Sequence, residues 1–228
     1  MQQEAGIVAI INDDKARRLG WQELVGDAGF QPVAIEGRFR TLEELASKIR
    51  SVKASYAICD NRLSPKGMAQ FTGCSLAALL NESRTISSMV VTDFVAADMA
   101  TICQYREKIP VLLRGEDFDD PALIRKSLLI SKKEIIDRVI PPSRRPWRTL
   151  VQVVGVTVLS GHRIAEAYVP GWKPYETVYF PTSLIQIGGN DSEQRDRFYF
   201  ARVNIGALNP EDLFFRDLEL APDPGKDE

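Results

Sequence analysis

Four stretches of this 228-residue chain place reactive polar groups directly after apolar runs. Asn12, Asp13 and Asp14 follow "GIVAII", Asp60 closes "SYAICD", Thr92 and Asp93 follow "SSMVV", and Arg114 follows "IPVLL". Taken singly, each reads as the polar end of a buried strand. Brought together, they would put carboxylates, a hydroxyl and a cation into one small site. Carboxylates held that close repel one another unless a hard cation such as Mg²⁺, which favours oxygen ligands, neutralises them. Mg²⁺ is expected only if such a site is active.

Other chemistries find little material. Cys59, Cys74 and Cys103 are widely spaced, form no CxxC pair and share the chain with a single histidine, so a zinc site lacks ligands. A Cys–His nucleophile pair would have to recruit His162, which sits in the hairpin-like "LSGHRIAE". Nor is there a P-loop or dinucleotide fingerprint, since "NDDKARR" has no glycine to let a phosphate approach. We expect no catalytic residues and no enzymatic activity beyond what a phosphorylatable aspartate would itself perform.

The elements that must position these groups alternate between two periodicities. "GIVAII", "QPVAIEG", "SYAICD", "SSMVVTDF" and "IPVLLRGED" are short apolar runs suited to strands covered on both faces. Between and after them lie helical patterns: "DKARRLGWQELVGDAGF", "TLEELASKIRSV", "CSLAALLNES", "DMATICQYREK" and "DPALIRKSLLISKKEIIDRVI". Thr41 and Asp120 stand as caps, with Pro121 at a first helical position. Five strand–helix pairs predict an α/β domain over 1–140 with a five-stranded doubly wound parallel sheet. Ligands of such sheets bind beyond the carboxyl ends of the strands, where the polar residues fall.

The order of elements and the strand-end groups resemble the receiver (CheY-like) domain of bacterial response regulators, over about residues 5–138. "IINDDK" matches that family's acidic motif, "ICDNRLSP" its phosphate-acceptor motif and "VVTDF" its hydroxyl motif. The resemblance implies Asp60 as phosphoacceptor, with Asp13 and Asp60 holding the metal and Thr92 and Arg114 contacting the phosphate. The reaction implied is in-line attack of a carboxylate on a phosphoryl group, with a histidine kinase as the upstream partner. Four departures point instead to a degenerate receiver, or pseudo-receiver. Asn12 replaces an acid, although Asp14 could compensate. Arg114-Gly115 stands for the usual Lys-Pro, Val111 for the switching aromatic, and "NRLSPKGMAQFTG" is a long loop after Asp60. Met68 and Phe71 in that loop are candidates for interaction with a partner.

Beyond residue 140 the composition changes. "PPSRRP" (141–146) reads as a Pro/Arg linker, 147–220 as a small antiparallel β-barrel or sheet, and 221–228 as an acidic tail. This half matches no family motif. "EDLFFRDLEL" reads as a closing strand or helix, or as a docking segment. Trp147, Trp172, Tyr175, Tyr179, Phe198, Tyr199 and Phe200, interleaved with Arg195, Arg197 and Arg202, would suit a single-strand nucleic-acid platform. The plainer account has alternate residues filling a core while Asp191, Glu193 and Asp196 cancel the arginines. A net charge of −2 supports the plainer account, so nucleic acid is not expected as a partner. No apolar run approaches membrane-spanning length and the start lacks a signal-peptide pattern, so a cytoplasmic protein without membrane attachment is expected. A regulatory adaptor that binds proteins of the same bacterial operon, in signalling or defence, is the functional expectation. A homodimer along the last helix is compatible with its pattern without being required by it.

Overall fold

A computed structural model describes residues 6–93, 95–159, 161–185 and 197–222. The first apolar runs form β1 (Ile7–Ile11), β2 (Gln31–Ala34), β3 (Tyr56–Asp60), β4 (Ser87–Thr92) and β5 (Leu112–Arg114). All pair in parallel, in the order β2-β1-β3-β4-β5. This is the doubly wound order expected, with its topological switch point beside β1 and β3.

Alternation along the strands sends Val8, Ile10, Ile58, Met89 and Val91 to one face. There they meet Trp21 and Val25 of α1 (Lys15–Asp27) and Ile124 and Leu128 of α5 (Pro121–Ile135). The intervening Ala9, Ile11, Ala57, Cys59 and Val90 are also buried. Burial on both faces explains why these strands read as unbroken apolar runs. α2 (Leu42–Ser51) contributes buried Leu45 and Ile49, and α3 (Gly73–Ser83) contributes Leu76 and Leu80. Thr41 and Asp120 cap α2 and α5 as the sequence reading has them, and Asp14 and Thr72 do the same for α1 and α3.

The chain divides into two compact units, Met1–Val95 with Lys108–Val139, and Ala96–Glu107 with Ile140–Glu228. The division near residue 140 matches the change in composition. The place of 96–107 differs from the sequence reading, which put all of 1–140 in one domain. α4 (Val95–Tyr105) and the turn after it belong, from Ala96 on, to the second unit. Polar anchors fix them there. The Arg106 guanidinium donates to Asp212 at 2.8 Å and to the Glu211 carbonyl at 3.1 Å, and Arg216 reaches Glu107 at 2.7 Å.

The expected linker is likewise part of this unit. Pro142–Arg144 is a 3-10 turn, and buried Arg144 donates to the Glu107 carbonyl at 2.6 Å and lies over the Phe214 ring. Around these anchors runs an antiparallel sheet of β6 (Trp147–Leu159), β7 (His162–Val169), β8 (Lys173–Pro181), β9 (Arg197–Val203) and β10 (Phe215–Leu220). Its order is β10-β9-β6-β7-β8. Among the described residues it is an open sheet, which decides against the barrel alternative. Its edges meet only through one isolated bridge between Ile185 and Leu218. "EDLFFRDLEL" supplies the edge strand β10, so it is neither a helix nor a loose docking segment. Inward residues such as Val151, Ala167, Val178, Phe180, Tyr199 and Phe215 form the core.

Candidate functional site

The rim at the carboxyl ends of the first sheet is built from the chain outward. β1 ends in Asn12, which is fully buried; its Oδ1 accepts the Asp14 N–H at 2.8 Å. Its Nδ2 is buried and has no hydrogen-bond partner among the described residues. Asp14 then caps α1, accepting from the N–H groups of Ala16 at 2.8 Å and Arg17 at 3.1 Å. The Arg17 N–H, followed by Lys66 and the Ala16 N–H, holds the Asp14 carboxyl below its usual range. Asp13 accepts the backbone N–H of Lys66 at 2.6 Å, and the Lys66 ammonium lies 3.3 Å from Asp14.

Asp60, the last residue of β3, is 9 % exposed and accepts the Arg62 N–H at 3.2 Å. Burial pushes its carboxyl up to about 6; the negative charges of Asp13 and Asp93 add to this, while Arg62 and Arg17 oppose it. Asp13, Asp60 and Asp93, far apart in sequence, therefore act on one another through space. The chain leaves Asp60 along a tight path. Asn61 accepts the Gly73 N–H at its carbonyl and the Cys74 N–H at its side chain, and a Cβ on Gly73 would overlap the Asp60 carbonyl.

Thr92 is buried at the end of β4 and stands opposite Arg114 in the β4–β5 register. The Arg114 side chain is 55 % exposed, with Glu116 3.9 Å away. Two features of this edge were not legible beforehand. Arg17, from the first turn of α1, binds Asp93 at 2.7 Å. Burial opposes the Arg17 charge, but the bond to Asp93 together with the negative charges of Asp93, Asp60 and Asp14 outweighs it and holds the guanidinium above its usual range. Gly115 makes room for Asp93, because a Cβ there would overlap its carboxylate. Val111, at the place of the family's switching aromatic, is half-buried against the α1/α5 core.

The loop after Asp60 closes on itself. Gly67 N–H donates to Ser64, Ala69 N–H to Leu63 and Phe39 N–H to Met68. Met68 is 4 % exposed and packs within the loop, and Phe71 is half-buried. The thiols of Cys59, Cys74 and Cys103 are all buried, and burial pushes Cys59 and Cys103 up, which leaves them poor nucleophiles. His162 is exposed at the start of β7.

The carboxylates of this rim already have partners from the chain itself. Among the described residues no group of three or more His, Cys, Asp or Glu side chains could hold a metal ion. Asn12 offers no charge, Asp14 is committed to the helix cap, and an ammonium already stands among the carboxylates.

In the second unit Tyr199 faces the core, whereas Trp147 and Tyr175 are exposed. Arg148 lies 4.1 Å over the Phe200 ring and 3.6 Å from Glu219, and Arg202 lies 3.5 Å from Asp217. Arg195, Asp191, Glu193, Asp196 and most of the acidic tail lie outside the described residues.

The first unit thus has a doubly wound fold of five parallel strands in flavodoxin-like order with flanking helices. Solved structures similar to the chain include the anti-anti-sigma factor PhyR from Bartonella quintana, at TM-score 0.44 and 19 % identity over 60 % of this chain and 51 % of that one. The response regulator PhyR from Brucella abortus gives 0.45 and 20 %, covering 60 % and 53 %. A CheY-like receiver domain protein from Methanospirillum hungatei JF-1 gives 0.43 and 16 %, covering 57 % and 98 %. The chain spans about half the length of the two PhyR structures. No family model and no curated protein matches it.

Proposed function

We propose that the protein is a non-enzymatic regulatory adaptor of a bacterial multi-component signalling or defence system. In this reading its receiver-like unit has lost the phosphoryl switch and serves as a protein-binding module in the cytoplasm. The observation that carries it is the donor set of the rim. An uncharged Asn12 replaces an acid, Asp14 is held by the α1 cap and Lys66, and Asp93 is held by Arg17. A divalent cation that would activate a phosphoryl donor therefore has few free oxygens to bind. Binding surfaces in this reading are α4 and α5, the loop after Asp60 or the β sheet of the second unit. Among the described residues no helix is long and apolar enough to cross a membrane.

One observation favours the rival, a receiver phosphorylated on Asp60 by a histidine kinase: Asp60 sits within the influence of Asp13 and Arg17, as a nucleophile would. Incubation with Mg²⁺ and a small phosphodonor, followed by intact mass, separates the two. The adaptor reading expects no adduct. A stoichiometric adduct that disappears in Asp60→Asn overturns it. A nucleic-acid role is disfavoured by the carboxylate partners of Arg148 and Arg202.

A further inference from the structure

The loop between β3 and α3 places one residue on both neighbouring acids of the rim. Lys66 gives its backbone N–H to Asp13 at 2.6 Å and its ammonium to Asp14 at 3.3 Å. That position is fixed by more than a flexible side chain. The turn Ser64–Gly67 is closed by a 2.9 Å hydrogen bond and requires φ +77° at Gly67, a conformation that glycine adopts without strain. Immediately after it, buried Met68 and Ala69 dock the loop, through the Phe39 N–H to Met68 hydrogen bond and the Phe39–Ala69 bridge. On the other side of the rim Arg17 neutralises Asp93. The acidic cluster thus carries cations supplied by the chain itself.

We propose that Lys66 is the resident counter-ion of the acidic rim and excludes a divalent cation from it. This rests on the adaptor reading above and gives it a physical device. With the cation built in, the shape of the rim and of the loop above it does not depend on Mg²⁺. A partner would meet the same surface at any metal concentration. A tethered positive charge a few ångströms away opposes an incoming cation, with solvent screening the repulsion because the Lys66 side chain is 63 % exposed.

The test is a Mn²⁺ titration followed by electron paramagnetic resonance, with Mn²⁺ alone as the probe. Lys66→Gln removes the charge but keeps the backbone N–H to Asp13, so the loop anchor survives. Wild type is expected to show no saturable binding at millimolar Mn²⁺. Lys66→Gln should bind at least about tenfold more tightly, Lys66→Arg should behave as wild type, and adding Asp13→Asn to Lys66→Gln should abolish the gain. Equal binding by wild type and Lys66→Gln, or binding by neither, overturns the proposal. Circular dichroism of each variant establishes that it is folded. A Mg²⁺-dependent phosphate adduct on wild-type Asp60 would sink both readings, whereas equal Mn²⁺ binding by wild type and Lys66→Gln without any adduct would sink this one alone.

Discussion

Two asparagines, both fully buried, show how differently the two units use polar groups. In the second unit Asn204 donates to the carbonyls of Ser143 at 3.1 Å and Asp212 at 3.0 Å, and accepts the Phe214 N–H at 2.7 Å. It ties the turn at 142–144 to the segment that leads into β10. In the first unit the Asn12 side chain accepts the Asp14 N–H, and its Nδ2 has no partner among the described residues. A buried donor without an acceptor costs free energy, so folds retain such groups chiefly where something other than stability is served. Asn204 is architecture. Asn12 leaves a buried donor over at the rim.

The contrast can be broken most directly at Asn204. Asn204→Ala should leave two carbonyls and an N–H without partners and destabilise the second unit by about 3–4 kcal/mol, read by urea unfolding. A loss no larger than that at Asn12 would erase the distinction. Next comes Asp60. Its carboxyl titrates near 6 in the folded protein against 3.8 as the ordinary value, so the folded state binds the proton more tightly. Stability is therefore greatest below the ordinary value and falls as pH rises through about 6. Asp60→Asn should remove this slope and stabilise the protein by roughly 2–3 kcal/mol at neutral pH, measured by thermal unfolding across a pH series. A flat wild-type profile would contradict the buried, crowded carboxylate.

Gly115→Ala should displace Asp93 from Arg17 and cost about 1 kcal/mol. Most of that cost should vanish in an Asp93→Ala background, a coupling that a double-mutant cycle reads. The smallest effect is expected at Asn12 itself. Asn12→Leu discards one hydrogen bond together with an unsatisfied donor, and should change stability by less than about 1 kcal/mol. Compared with Asn204→Ala in the same denaturant, it sharpens the contrast by a difference of several-fold.

The first sheet was legible because its strands are buried on both faces, so that "GIVAII" and "SYAIC" carry an apolar signal no surface element would show. The strand ends followed from it, since a parallel sheet gathers the residues after each strand along one edge. What escaped were pairings between distant positions. Arg17 meets Asp93 across 76 residues, and Lys66 meets Asp13 from within an irregular loop. Neither leaves a periodic trace. The placement of α4 failed for a related reason: "DMATICQYREK" encodes a helix, but local spacing does not say which body receives it. Its deciding contacts are Arg106 to Asp212 and Arg216 to Glu107, residues met only a hundred positions later. The path of the loop after Asp60 was not legible either, because the hydrogen bonds of Gly67 to Ser64 and Ala69 to Leu63 that fold it down leave no periodic pattern.

The threading of the chain carries a last consequence. Because 96–107 is assigned with 140–228, the polypeptide passes from one unit to the other at three points, near residues 95, 107 and 139. No single cut yields two intact modules: a fragment ending near 139 would carry an orphaned helix, and one starting there would lack it. The halves are therefore suited to being inherited, expressed and lost together. Recombination that swaps response-regulator outputs as cassettes would find no clean seam here.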